Sequence, residues 1–148
     1  MFDTLALVFG PGIVAAVLWS PILLSSRIRS LFDRLPPARS TIVSYLVVGI
    51  GLSIPFIVGT GVVFLTTSTE GAAFSNALLN MVFVLTLAYV VVLPVTAVVG
   101  LPRTCLDWDP TNYGLGTWLL LVGMVLWYAA VFAIPLAFFA FILALPTG

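Results

Sequence analysis

Four long apolar stretches, none holding a charged side chain, leave this sequence few ways to fold. They run from about Leu5 to Leu24, Thr41 to Leu65, Ala72 to Gly100 and Trp118 to Leu145. A helix needs roughly 20 apolar residues to cross hydrocarbon, and more if it tilts. All four meet that length. Strands of a membrane barrel would alternate over roughly 10 residues, and these stretches do not. In lipid every backbone N–H and C=O must find a partner within the protein, which a helix provides. The sequence therefore predicts an all-α membrane protein with four transmembrane helices in two hairpins, forming a single integral membrane domain over 1–148. Composition closes the soluble alternative. Only 7% of residues are charged, against about a quarter in a soluble domain.

The charges that remain orient the chain. There is no lysine or histidine. Arg27, Arg29, Arg34 and Arg39 fall in the first loop (25–40), and Arg103 falls in the third (101–117). The second loop carries only Glu70, and the N-terminus carries Asp3. Arginine favours short cytoplasmic loops. The expected location is thus a cell membrane, multi-pass, with loops 25–40 and 101–117 cytoplasmic and both termini outside. Met1-Phe2-Asp3 lacks the positive charge of a signal-peptide start, so the first helix is expected to be retained. Within the first loop, a short interfacial segment (Ser26 to Leu35) is expected to turn Ile28, Leu31 and Phe32 toward lipid and its arginines toward phosphates.

Prolines mark each helix: Pro11 and Pro21, Pro55, Pro94 and Pro135. Each removes a backbone donor, so kinks are expected. Ser53-Ile54-Pro55 and Ala133-Ile134-Pro135 sit similarly in the second and fourth helices, a faint sign that one hairpin repeats the other. Small residues spaced four apart, Gly49 with Ser53 and Gly51 with Gly59 across Pro55 on the second helix and Ala129, Ala133 and Ala137 on the fourth, predict ridges for close helix packing. These ridges suit either contact between those two helices or association with a partner. Phe132, Phe138, Phe139 and Phe141 suggest a bulky outer face on the fourth helix.

Tyr89, Tyr128 and Ser53 count to similar depths, about 11 residues or roughly 16 Å from the arginine side. A tyrosine hydroxyl in hydrocarbon requires a partner, so at least two of these side chains are expected to meet inside the bundle.

The chemistry absent from the sequence is as informative. Without histidine there is no bis-His haem, His-ligated metal or His-based triad. One cysteine, Cys105, cannot form a redox pair. No charge lies within a span, where ion-coupled carriers place one. Cofactors are therefore expected to be none, and so is nucleic acid as a partner. In the third loop Asp107 and Asp109 form an Asp-x-Asp that can be read as a weak divalent-ion site. Asp109-Pro110-Thr111-Asn112 also has turn chemistry, and Trp108, Tyr113 and Trp118 suit a headgroup-level aromatic belt. The expected role is a non-catalytic accessory or structural subunit of a membrane complex, or a self-associating bundle. Its partners are lipid, other membrane subunits or copies of itself. Contacts to headgroups or partners are expected at the arginines and at Asp107, Trp108 and Asp109. The alternative is a small oligomeric channel or carrier for an uncharged or apolar solute.

Overall fold

The structure, a computed structural model, describes residues 2–36, 40–68 and 71–145, with side chains from residue 9 onward. Arg39 and Glu70 lie outside the described residues. Helix α1 (Phe2–Trp19) runs through Pro11 and continues as a 3-10 turn, Ser20–Leu24. Pro21 stands in the first positions of that turn, where a missing N–H costs least. Ser25 is extended and breaks the helix. The chain then turns by 119° into α2 (Ser26–Arg34). Extended Leu35, which precedes a proline, ends α2.

Three longer helical segments follow. Helix α3 (Thr41–Thr66) contains Pro55. Helix α4 (Gly71–Val95) contains Pro94, widens into a π turn at Thr96–Gly100, and closes with the short α5 (Leu101–Arg103). Helix α6 (Leu115–Ala144) contains Pro135. Among the described residues there is no strand. Thr41–Thr66, Gly71–Arg103 and Leu115–Ala144 are long and apolar enough to cross a membrane. The bent pair of α1 and α2 makes a fourth if it counts as one span.

Packing joins α1 to α3 and α4 to α6, with further contacts between α3 and α4 and between α1 and α6. The four long helices thus close a ring in which sequence neighbours are spatial neighbours. Small residues set the α1–α3 approach. A Cβ added to Gly12 would stand 2.6 Å from Ser53 Oγ and 3.3 Å from Ile50 Cα, and one added to Gly49 would stand 3.3 Å from Ala16 Cβ. The Gly49 and Ser53 part of the α3 ridge therefore turns its Cα face to α1. Gly59 faces Met81 and Leu85 of α4.

On α6 the buried stripe runs through Thr117, Leu121, Val125, Tyr128, Ala129 and Ala140. Ala133 and Ala137, expected on the packing ridge, are half-buried at its edge. The four-residue ladder Thr117, Leu121, Val125 and Ala129 drifts about 40° per step, so its continuation at Ala133 and Ala137 has moved to the edge of the buried face, which Ala140 regains. Phe138, Phe139 and Phe141 face outward, whereas Phe132 stacks on Phe56 with ring centroids 4.9 Å apart. A separate cluster of Val63, Phe74, Leu78 and Ala140 holds the far end of the bundle.

The amphipathic α2 corrects a further expectation. Ile28, Leu31 and Phe32 are buried in the main core instead of facing lipid. The 119° turn folds the helix back over the bundle end, which offers the apolar stripe a protein surface.

Candidate functional site

The arginine-bearing end of the bundle concentrates the ordered polar contacts. Helix α2 and the 104–114 loop lie side by side there, tied by the Ser30 hydroxyl, which donates to the Trp108 carbonyl at 2.6 Å. The loop starts from a left-handed Cys105 with φ 63°. Leu106 N–H bonds Leu101 O and Cys105 N–H bonds Pro102 O. This is the 6→1 and 5→2 pattern of a Schellman ending.

Trp108 then points into the protein. It is only 2% exposed, and its indole N–H donates to Ala97 O at 2.7 Å. Ala97 lies in the π turn, where an inserted residue interrupts the regular ladder and a carbonyl takes a side-chain partner. Trp108, expected at headgroup level, is therefore a core anchor. Its partner Tyr113 packs edge-on at 5.6 Å, accepts the Trp108 backbone N–H, and donates to Asp107.

Asp109 is also turned inward, at 7% exposure. Its carboxylate accepts the Thr111 N–H at 2.9 Å, the Thr111 hydroxyl at 2.7 Å and the hydroxyl of fully buried Thr117. Burial pushes the carboxyl pKa up. The bonds from Thr117 and Thr111, with the charge of Arg27, outweigh that, so it lies below the ordinary value. The expected turn at 109–112 is present. Asp107, in contrast, is exposed, so the two carboxylates do not converge as an Asp-x-Asp ion site needs. Among the described residues no group of three or more metal-ligating side chains gathers. Arg27 lies over Gly116, its guanidinium 3.3 Å from where a Cβ would stand. Arg29, Arg34 and Arg103 are exposed.

Deeper, an aromatic layer links all four long helices. Tyr89 and Tyr128 meet edge-on with centroids 6.5 Å apart, as their matched depths require. Their hydroxyls donate to carbonyls of α3, at Leu52 and Gly49 respectively, and Ser53 Oγ donates to Ile50 O. The three acceptors lie three to six residues before Pro55 and flank Gly51, the residue whose carbonyl the missing Pro55 N–H leaves free. Tyr45 donates to Ala16 O on α1, and Trp19 donates from its indole to Met124 O on α6. Trp19, Tyr45 and Phe32 pack ring to ring beside them.

The sequence reading missed Trp19, Tyr45 and Gly12. Gly12 and Ala16 stand four apart, the same spacing as Gly49 and Ser53 on the second helix.

Two apolar hollows flank this layer. One, of about 860 Å³, is an open groove between α1, α3 and α6, bounded by Pro11, Phe56, Phe64, Phe132 and Pro135. The other, of about 200 Å³, is a chamber between the arginine-side halves of α3 and α4. Trp19, Leu121, Val125 and Tyr128 form its buried floor, Leu31, Phe32 and Leu35 of α2 cover it, and Val48, Leu52, Leu93, Thr96 and Leu101 rim it.

No curated protein and no solved structure matches the chain. The family model described as "Domain of unknown function (DUF8162)" matches residues 1–147, and the chain belongs to that family.

Proposed function

We propose that this is a non-catalytic, multi-pass membrane protein serving as an accessory or structural subunit of a membrane assembly. It crosses four times in two proline-bent hairpins, with α1 as the first span and α2 lying along the cytoplasmic surface. The observation that carries this reading is the use made of its buried polar groups. The Trp19, Tyr45, Tyr89, Tyr128, Trp108 and Asp109 side chains are all bonded within the protein. Among the described residues only Thr86 Oγ1 is buried without a partner. A catalytic or transport site needs polar groups aimed at a guest, and here they hold helices together.

The outer surface supports association. Phe138, Phe141, Ile134 and Trp127 are each more than half exposed, and the groove beside Pro135 widens that apolar face. Native mass spectrometry after the mildest extraction tests the reading. Expected is a complex of fixed stoichiometry, with another membrane subunit or with further copies. A stable monomer that carries no protein partner across extraction conditions would count against it.

A further inference from the structure

We propose that the chamber between α3 and α4 is a lipid-binding site. It takes a segment of one alkyl chain of an anionic membrane phospholipid, whose headgroup phosphate pairs with Arg34 and Arg103. The proposal rests on the four-span reading. Volume and lining define the chain. An apolar void of about 150 Å³ stays dry and admits benzene, and this one reaches about 200 Å³. Its deep polar groups, Trp19 Nε1 and the Tyr128 hydroxyl, are already bonded to Met124 and Gly49 carbonyls. The walls therefore offer a guest apolar contact alone, which suits hydrocarbon and penalises a polar solute.

The rim defines the route. Leu35, Leu52, Leu93 and Leu101 are half-exposed and Thr96 is exposed, so the chamber opens sideways between α3 and α4, toward the bilayer interior in the four-span arrangement. Thr96 begins the π turn, a distortion that recurs at functional sites. It widens α4 where the chamber needs room.

Charge defines the headgroup. Arg34 ends the helix whose Leu31 and Phe32 line the chamber, Arg103 ends the short helix that begins at the lining residue Leu101, and both arginines are exposed at that end of the bundle. Asp33, the carboxylate next to Arg34, is engaged by the Thr41 hydroxyl. Guanidinium forks match phosphate oxygens. Leu31, Phe32 and Leu35 of α2 line the chamber on its arginine-bearing side, so a chain that enters from the bilayer interior brings its headgroup to the end that carries Arg34 and Arg103.

The full chain is placed in nanodiscs containing phosphatidylglycerol and phosphatidylcholine of identical chains, and native mass spectrometry reads the lipid retained on release. Expected is one phosphatidylglycerol per chain, kept in preference to phosphatidylcholine. Leu93→Trp and Val48→Trp fill the chamber from opposite walls and lower retention severalfold at unchanged helicity. The pair Arg34→Gln with Arg103→Gln removes the headgroup preference. Wild-type protein that keeps neither lipid, or both equally, overturns the proposal. Undiminished retention in whichever filled variant folds does so too, as does a preference that survives loss of both arginines. Labelling of Cys105 and of an introduced residue-3 cysteine in membrane vesicles reads insertion separately. Failed retention in a correctly inserted protein then counts against the chamber alone.

Discussion

At the scale of single residues, Asp109 is the most consequential polar group. Removing its carboxylate leaves the buried Thr117 hydroxyl without its acceptor, a loss of about 1–3 kcal/mol. Asp109→Ala is expected to lower stability by that amount in detergent unfolding. The pH dependence has a fixed sign. The native pKa is depressed, so this stabilisation is fully present above the unfolded value of about 3.9. It is lost as pH falls through the lower native value. The wild type should therefore lose stability more steeply than Asp109→Ala below about pH 4, and parallel profiles would remove the carboxylate from the account. Cys105 gives the opposite prediction. Its left-handed φ of 63° costs a side-chain-bearing residue roughly 1–2 kcal/mol, and the exposed thiol packs on little. Cys105→Gly should raise stability by about 1 kcal/mol, part of the gain being offset by the freer unfolded chain. A lower unfolding midpoint would show that the thiol contributes more than the geometry indicates.

At the scale of elements, the α1–α3 contact decides how closely the first hairpin closes. A methyl at Gly12 would meet Ser53 Oγ at 2.6 Å and the Ile50 backbone at 3.3 Å. The Ile50 main chain cannot step aside as a flexible side chain can. Gly12→Ala is expected to destabilise by about 1–3 kcal/mol through overpacking. Gly51→Ala, with nothing within 4 Å, should be neutral or stabilising, since alanine favours helix by up to about 1 kcal/mol. Equal effects at the two glycines in the same unfolding assay would refute this contact geometry. The contrast also marks how far the sequence could be read. Apolar length was enough to locate the helices, because α3, α4 and α6 begin and end within a few residues of the apolar runs. Matched depth was enough to bring Tyr89 to Tyr128. Spacing alone does not say which neighbour a ridge faces: the Cα of Gly49 packs on Ala16 of α1, while α6 reaches Gly49 only through the Tyr128 hydroxyl on its carbonyl. Nor could amphipathicity say whether α2 turns its apolar stripe to lipid or to protein. That depends on the angle at Ser25, which only the folded bundle fixes. Nothing in the sequence marks Trp108 and Asp109 as buried, because a polar loop sequence carries no sign that it folds back on its own helix ends.

At the scale of the whole molecule, the two arginine-bearing segments are one surface. The Ser30–Trp108 bond and the seat of Arg27 over Gly116 bring α2, the 104–114 loop and the start of α6 together. Arg27, Arg29, Arg34 and Arg103 thus share an end of the bundle, which is the cytoplasmic end in the proposed topology. Cys105 is the single cysteine of the chain and is exposed there, so it serves as a native reporter. A membrane-impermeant maleimide should label it in inside-out vesicles and spare it in intact cells. Exposed Ser68 joins α3 toward α4 at the other end. With Cys105 replaced by serine, Ser68→Cys should label from outside, but that pair alone cannot separate three spans from four. Residue 3 separates them. If α1 crosses, Asp3→Cys in the serine background labels from outside, with position 68. If α1 stays on the cytoplasmic side, it labels with Cys105. The 119° turn at Ser25 favours the crossing, because it keeps α1 alongside α3 while α2 alone lies across the arginine-bearing end. Labelling of position 3 from the cytoplasmic side would reduce the protein to three spans.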